Sequence, residues 1–399
     1  MTVEKICLLL IEALQNEGYN ESTIFNYRGV IRRFHEFCSS HGAKEYSPAI
    51  GKLYANDVVS KKTGKFSLSR YHLQGRFTRF LDSFYLNRKF DFSMNPRGKI
   101  IPKNRKHHKF YTDYQKHLEG AYQNENTKLF YDYELLCFLN FLSDVHIYDV
   151  VHIKSKHLFQ YISQVKQNRQ RAVLCGLRSY CRYLERNDLV ASIAGVHAIR
   201  TKRVIPTLSG TELDSLFSIL ESDIISVRDV AIVLLGLTSG IRACDLINLK
   251  LSDIDWQNDT INFQQSKTGN YVCLPLIPKV GNAIYRYVTE SRPNSDSNYL
   301  FLRELAPFTP LAGHATCYCI IKRTFAKARI SKENRIFGMH LLRHNAASTM
   351  VKNAVPIETI SAILGHSGSD ATDVYITTDA DNLKHCVLPF GSISTEVNS

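Results

Sequence analysis

Apolar residues recur at helical spacing through the first 95 residues: Ile6, Leu9, Leu10, Ala13 and Leu14, then Ile24, Tyr27, Ile31, Phe34 and Phe37, then Phe77, Phe80, Leu81 and Phe84. Steps of three and four put each set on one helix face, so this stretch predicts a helical module. The pattern returns downstream. Thr23, Tyr27, Phe34 and Phe37 align at a constant offset with Thr127, Tyr131, Phe138 and Phe141, and Ile31 falls opposite Leu135. Further on the match weakens, with Phe77 and Phe80 opposite Leu177 and Tyr180. Residues 1–95 and 112–195 therefore read as two copies of one small bundle of roughly four or five helices each. The competing reading is that two unrelated amphipathic bundles share this spacing.

A new pattern starts after Pro206. Ser209 and Glu212 make a capping box that opens a helix, and the stretch from about Val227 to Leu237 is apolar almost all round, which predicts a buried helix. Ser239-Gly240 breaks it and sets Ile241-Arg242 at the next helix start. From Ile254 the period becomes two. Thr260 to Phe263, Lys267-Thr268-Gly269-Asn270 and Tyr271 to Leu276 predict a β-hairpin with Lys267 at its tip. Helical spacing resumes over Lys279–Arg292, Ala312–Ala328, Met339–Asn353 and Pro356–Leu364, and the chain ends in polar Ser392–Ser399. The expected fold is mainly α and multidomain: two small N-terminal helical bundles, then a mainly helical α+β domain with a small sheet. The boundaries follow as a module at 1–95, a basic linker at 96–111, a second bundle at 112–198, a linker at 199–206, a third domain at 207–380 and a tail at 381–399.

Composition narrows the partners. The 399 residues are 44% hydrophobic and 22% charged, the balance of a folded globular chain. Fifty Lys and Arg against 37 Asp and Glu leave a net charge of +13, so the surrounding field attracts polyanions, nucleic acid first and an anionic membrane second. The ten cysteines include no Cys-x-x-Cys, and the close pair Cys317 and Cys319 has no second pair at zinc spacing, which speaks against a metal site. They read as reduced intracellular thiols. The apolar Ile6–Ile11 is bracketed by Glu4, Lys5 and Glu12 and reads as an amphipathic helix rather than a leader; no apolar run is long enough to span a membrane.

The positive charge is clustered. Arg97, Lys99, Lys103, Arg105, Lys106 and Lys109 crowd a segment with Pro96, Gly98 and Pro102 that reads as an extended linker. Lys166, Arg169, Arg171, Arg178 and Arg182 interleave with Leu174, Leu177, Tyr180 and Tyr183, a helix with one packing face and one cationic face. Arg200, Lys202 and Arg203 mark the next junction. These cations are candidate contacts to DNA phosphates, with a merely solvated face as the plain alternative.

Breaking a DNA backbone without a metal requires a nucleophile, cations around the phosphate oxygens and an acid for the leaving oxygen. Tyr375 can attack phosphorus and keep the bond energy in a phosphotyrosine. Arg242 and Arg343 offer planar forks for phosphate. His340 lies one helical turn before Arg343, His366 can donate a hydrogen bond, and Lys267 can protonate the leaving oxygen. Each residue alone has an ordinary structural explanation; the set does not.

Arg242 in Thr-Ser-Gly-Ile-Arg-Ala-Cys-Asp-Leu-Ile-Asn-Leu, Lys267 in Ser-Lys-Thr-Gly, His340 and Arg343 in His-Leu-Leu-Arg-His, His366 in Leu-Gly-His, and Tyr375 together resemble the catalytic signature of the tyrosine recombinases, the phage integrase family. The resemblance is strongest over residues 204–380. It extends more weakly to 112–195, similar to the family's SAM-like core-binding domain, and least to 1–95, similar to an added N-terminal DNA-binding module. It implies Tyr375 as nucleophile, Arg242 and Arg343 as phosphate clamps, Lys267 as general acid, His340 and His366 as hydrogen-bonding or acid–base supports, and His344 as structural support. Asp245 stands where the family often has Glu, and Ala243-Cys244 replaces its commoner pair, which puts the packing beside the site in question.

The resemblance further implies a clamp around duplex DNA, a homotetramer exchanging strands through a Holliday junction, no cofactor, accessory DNA-bending or directionality proteins, and a bacterial cytoplasm at the nucleoid. The tail, with Leu383, Val387, Leu388 and Phe390, could dock on a neighbour or on its own domain. The extra N-terminal copy favours a mobile element's integrase or transposase over a housekeeping Xer-like resolvase. A type IB topoisomerase would not need that copy, and a non-cleaving DNA-bridging protein would be expected to lack part of the catalytic set.

Overall fold

The computed structural model describes residues 1–60, 63–93, 101–198, 206–332 and 335–365. Arg97, Lys99, Arg200, Lys202, Arg203, His366, Tyr375 and the tail lie outside the described residues. The chain divides into two compact units, one formed by Met1–Asn95 with Val204–Ser399 and the other by Pro96–Arg203.

The first 95 residues contribute α1 (Val3–Asn16), α2 (Glu21–Ser40), α3 (Pro48–Ala55) and α4 (Leu68–Asn87). Hydroxyl side chains start three of them: Thr2, Ser47 and Ser67 accept from backbone N–H groups of α1, α3 and α4, satisfying donors that have no partner inside the helix. The aromatic residues spaced at helical intervals form the core, where Phe34 meets Tyr54 at 4.9 Å and Phe77 at 5.3 Å between ring centroids.

The second unit contains α5 (His108–Ala121), α6 (Glu125–Asp144), α7 (Ser155–Gln164), α8 (Gln167–Tyr183) and α9 (Asn187–Ser192). Its first two helices repeat the lengths of α1 and α2, 14 and 20 residues. Phe138 on α6 meets Tyr161 on α7 at 5.3 Å, as Phe34 on α2 meets Tyr54 on α3. Segment 96–111 departs from an extended linker at its C-terminal end. Asn104 caps a turn of 3-10 helix at Arg105–His107, and α5 starts at His108. His107 is buried, with Nε2 2.9 Å from the Ile147 carbonyl and Nδ1 3.1 Å from Ser143 Oγ. These side-chain bonds tie the segment to the bundle.

The third region opens with α10 (Gly210–Leu220), whose Ser209–Glu212 capping box forms, then α11 (Val227–Ser239) and α12 (Ala243–Asn248). Strands β1 (Ile254–Asp255), β2 (Thr260–Gln264) and β3 (Tyr271–Pro275) make an antiparallel sheet in that order, with Thr260 opposite Pro275 and Gln264 opposite Tyr271. α13 (Pro278–Arg286), α14 (His314–Lys327), α15 (Met339–Lys352) and α16 (Ile357–Leu364) follow. α11 is the buried centre. Its first turn holds two charges that the apolar pattern conceals: Arg228 donates to Asp229 at 2.7 and 3.0 Å and to the Leu302 carbonyl at 3.0 Å, while Arg323 pairs with the other Asp229 oxygen. Burial is tolerable because both charges are paired and hydrogen-bonded.

Candidate active site

Three chain breaks position the site. α11 ends at Gly240, whose φ of +63° favours glycine and where a Cβ would lie 2.9 Å from Leu364 Cδ2. The turn delivers Arg242 in extended conformation just before α12. Its guanidinium donates through Nη1 to Gln265 Oε1 at 2.6 Å and through Nη2 to the Gly365 carbonyl at 3.0 Å. Asp245 sits one turn on, fully buried, with Oδ2 4.0 Å from Arg242 and Oδ1 accepting the Ser266 N–H at 2.8 Å. The Asp that departs from the family's usual Glu thus holds the hairpin turn against the first arginine.

The second break is that turn. The Gln265 N–H donates to the Asn270 carbonyl at 2.8 Å and the Gly269 N–H to the Gln265 carbonyl at 2.9 Å, closing a loop that leaves Lys267 exposed. The third is the end of α16, where Gly365 takes φ +61°. Arg343, on α15 and only 6% exposed, bridges two of these breaks: Nη1 donates to the Gly240 carbonyl and Nη2 to the Leu364 carbonyl, both at 2.8 Å. The last carbonyls of a helix have no donors within it. Here both arginines supply them, and in doing so converge.

His340 shares the face of Arg343. Its imidazole is held below the usual histidine range, first by removal from water and then by the charges of Arg343, Lys267, His314 and Arg242. Four cationic or ionisable groups therefore surround it. His344 is lowered further, to about 4, by burial and then by His340 and Arg343, so it is neutral at pH 7. Arg242, Lys267, His340 and Arg343 are thus brought together, whereas His366 and Tyr375 lie outside the described residues.

The residue that sequence reasoning passed over is Gln265. Its side chain is buried against Arg242, Thr268 and the Leu364 carbonyl. Its position two residues before Lys267 was the available signal, but a glutamine in a hairpin turn has no distinctive chemistry by itself.

The candidate DNA-contacting cations divide into two groups. Lys106, Lys166, Arg105 and Arg171 are exposed, with Lys106 over the Tyr148 ring at 4.9 Å. Lys103 is exposed and 3.6 Å from Asp144. Two others are occupied within the bundle. Arg178 donates to the Ile193 and Val196 carbonyls at 3.0 and 2.9 Å, closing the end of α9, and Arg169 pairs with buried Glu134 beside the Tyr133 ring. Their positive charge stands on a helix face that looks cationic in the sequence, but their donors serve the fold. Among the described residues no helix is long and apolar enough to cross a membrane.

Comparison with known proteins bears on the family and the fold. The phage integrase family matches residues 206–382. The chain is 34% identical over 162 residues to an integrase/recombinase of Sinorhizobium fredii, y4gC, covering 41% of this chain and 82% of that protein. A second from the same bacterium, y4rF, is 29% identical over 220 residues, 54% of this chain and 52% of the relative, so the chain spans about half its length. Tyrosine recombinase XerC of Oceanobacillus iheyensis is 26% identical over 281 residues, 66% and 88% of the two chains. Among solved structures, a lambda integrase dimer bound to a COC′ core site superposes with a TM-score of 0.55 at 18% identity, over 69% of this chain and 96% of that one, a likeness of fold. With two arginines joined at the end of one helix, a lysine on the facing hairpin and relatives of this kind, the chain belongs to the phage integrase family of tyrosine recombinases.

Proposed function

We propose that this chain cleaves and rejoins DNA strands at specific sites through a 3′-phosphotyrosine formed by Tyr375, and that it serves the integration, excision or transposition of a mobile element. The observation that carries the reading is the convergence of Arg242 and Arg343 on the carbonyls of Leu364 and Gly365, immediately before His366 in the sequence. Two planar cations anchored on one helix end form a fork for the non-bridging oxygens of a phosphodiester, where charge builds during displacement. Tyr375 Oη gives up its phenolic proton to a histidine of the site and forms the new bond to phosphorus while the bond to the 5′-oxygen breaks, and Lys267 gives a proton to that oxygen. A 5′-hydroxyl then attacks the phosphotyrosine, returning its proton to Lys267, and the tyrosine leaves and recovers its own proton, so no bond energy is lost and no ATP is needed. His340, its hold on a proton weakened by burial and then by the neighbouring cations, can pass a hydrogen bond or a proton. Arg97, Lys99, Lys103, Arg105, Lys106, Lys166, Arg171, Arg200, Lys202 and Arg203 are proposed to hold the duplex, four protomers acting on two duplexes with accessory proteins setting direction.

The duplicated N-terminal bundle favours a mobile element. Alignment with most of the length of a XerC favours a second reading, resolution of chromosome or plasmid dimers. Incubation of wild type and Tyr375→Phe with nicked DNA from the ends of the encoding element tests the chemistry. A denaturant-resistant protein–DNA adduct is expected from wild type alone, with nearly equal binding by both; an adduct from the variant overturns the assignment of Tyr375. Cleavage of chromosomal dimer-resolution sites in place of element ends would favour the resolvase reading.

A further inference from the structure

Arg242 and Lys267 lie on separate elements, and a single buried amide stands between them. Gln265 Oε1 accepts from Arg242 Nη1 at 2.6 Å and from Thr268 Oγ1 at 2.7 Å, and its Nε2 donates to the Leu364 carbonyl at 3.3 Å. The same Leu364 carbonyl accepts from Arg343. One side chain therefore touches the first arginine, the lysine turn, and the helix end that holds the second arginine. An amide suits the place, because the site asks for an acceptor towards a guanidinium and a donor towards a carbonyl at once. Glutamate has no donor, and lysine has no acceptor.

The surroundings are built for it. At Gly365 a Cβ would lie 2.1 Å from Gln265 Nε2 and 2.2 Å from Oε1, so the amide occupies space that a side chain at that position would take. Asp245 fixes the adjoining Ser266 N–H from the other side. The turn carrying Lys267 is thus held by a carboxylate from α12 and by its own first residue reaching to α16.

We propose that Gln265 is a positioning residue that sets the Lys267 turn and the Arg242 guanidinium in register against the end of α16, so that the phosphate clamp and the proton donor address the same phosphodiester. The inference rests on the strand-cleavage reading above. Gln265 does not touch the phosphate in this scheme; it acts through Lys267 and Arg242.

The test compares two substrates carrying the site that wild type cleaves: the natural phosphodiester, and one with sulfur in place of the leaving 5′-oxygen. Sulfur leaves as a thiolate and needs no proton, so the second substrate bypasses Lys267 but still needs the arginines. Single-turnover adduct formation is measured at saturating protein, with Kd from binding and Tm from thermal unfolding. Gln265→Ala is expected to slow cleavage of the natural substrate by about tenfold to a hundredfold, the scale of an ångström-sized misplacement, with Kd nearly unchanged. On the sulfur substrate part of that loss returns, so the ratio of the two rates rises above the wild-type ratio. Lys267→Ala should recover almost fully. Gln265→Glu, which keeps the acceptor and shape, should cleave at an intermediate rate and serves if the alanine variant unfolds early. A Gln265→Ala protein whose two rates fall by the same factor overturns the proposal, as does one that cleaves both substrates like wild type. If wild type yields no adduct on either substrate, the strand-cleavage reading itself fails and takes this inference with it.

Discussion

At the scale of residues, the arginines show what a sequence can and cannot disclose. The spacing of His340 and Arg343 places them on one helix face, and Arg242 after Ser-Gly-Ile reads as a helix start; both expectations match the helices found. Their partners were not legible, because they are the carbonyls of Gly240, Leu364 and Gly365, and a backbone oxygen has no residue identity to read. Gln265 escaped for a related reason: its importance lies in what it bridges. His344 offers a prediction at this scale. Its folded value of about 4 lies below the ordinary histidine value near 6.5, so between those limits the unfolded chain takes a proton that the folded chain refuses. Stability should therefore be level with respect to this group above pH 6.5 and fall as pH drops towards 4, by on the order of 2 kcal/mol. Thermal unfolding of wild type and His344→Gln across pH 4–7.5 checks it. The variant should show a visibly shallower acid slope, and parallel curves would count against the assignment.

At the scale of elements, the periodic signals carried well. The capping box at Ser209, the buried α11, the hairpin and the four closing helical stretches all formed where the pattern put them, because each depends on local chemistry or on a face that must be buried. The repeat also has a counterpart in matching helix lengths and in the aromatic contact between the second and third helices of each bundle. The linker was misjudged where a buried histidine and an asparagine cap, both polar and thus read as solvent-facing, pin Arg105–His107 to the bundle. Arg178 shows the same limit, since charge on a helix face does not say whether backbone carbonyls nearby need donors. Packing between α6 and α8 yields a second test. A Cβ at Gly176 would lie 2.6 Å from Glu134 Cβ, closer than packed atoms tolerate, so Gly176→Ala must separate the two helices. The expected cost is about 1–3 kcal/mol, read as a lower unfolding midpoint of the second unit. An unchanged midpoint would mean that the helices meet less closely than described.

At the scale of the whole molecule, sequence order and compact units differ. The first bundle resembles the second in helix order, yet it groups with the third region. Gly18, at φ +74°, allows the Phe308 ring to come within 2.8 Å of where its Cβ would be. No hydrophobic periodicity announces such a contact, since it depends on one glycine and one ring far apart in the chain. The charge of +13 belongs to this scale too. Binding to duplex DNA should weaken steeply with salt, with a slope of about −5 in a plot of log K against log salt if roughly six phosphates are neutralised. Titrations between low and physiological salt measure it, and a slope near zero would remove the basic segments from the binding surface.

The end of α16 also fixes when the site can exist. The guanidinium of Arg242 and its carbonyl partner at Gly365 are 123 positions apart, and that of Arg343 waits for Leu364. During synthesis the chain therefore carries Arg242 and Lys267 long before either has its final neighbours, and the clamp closes only when the last described helix has emerged and docked. A partly made protein therefore holds these cations without the geometry that the finished fold gives them.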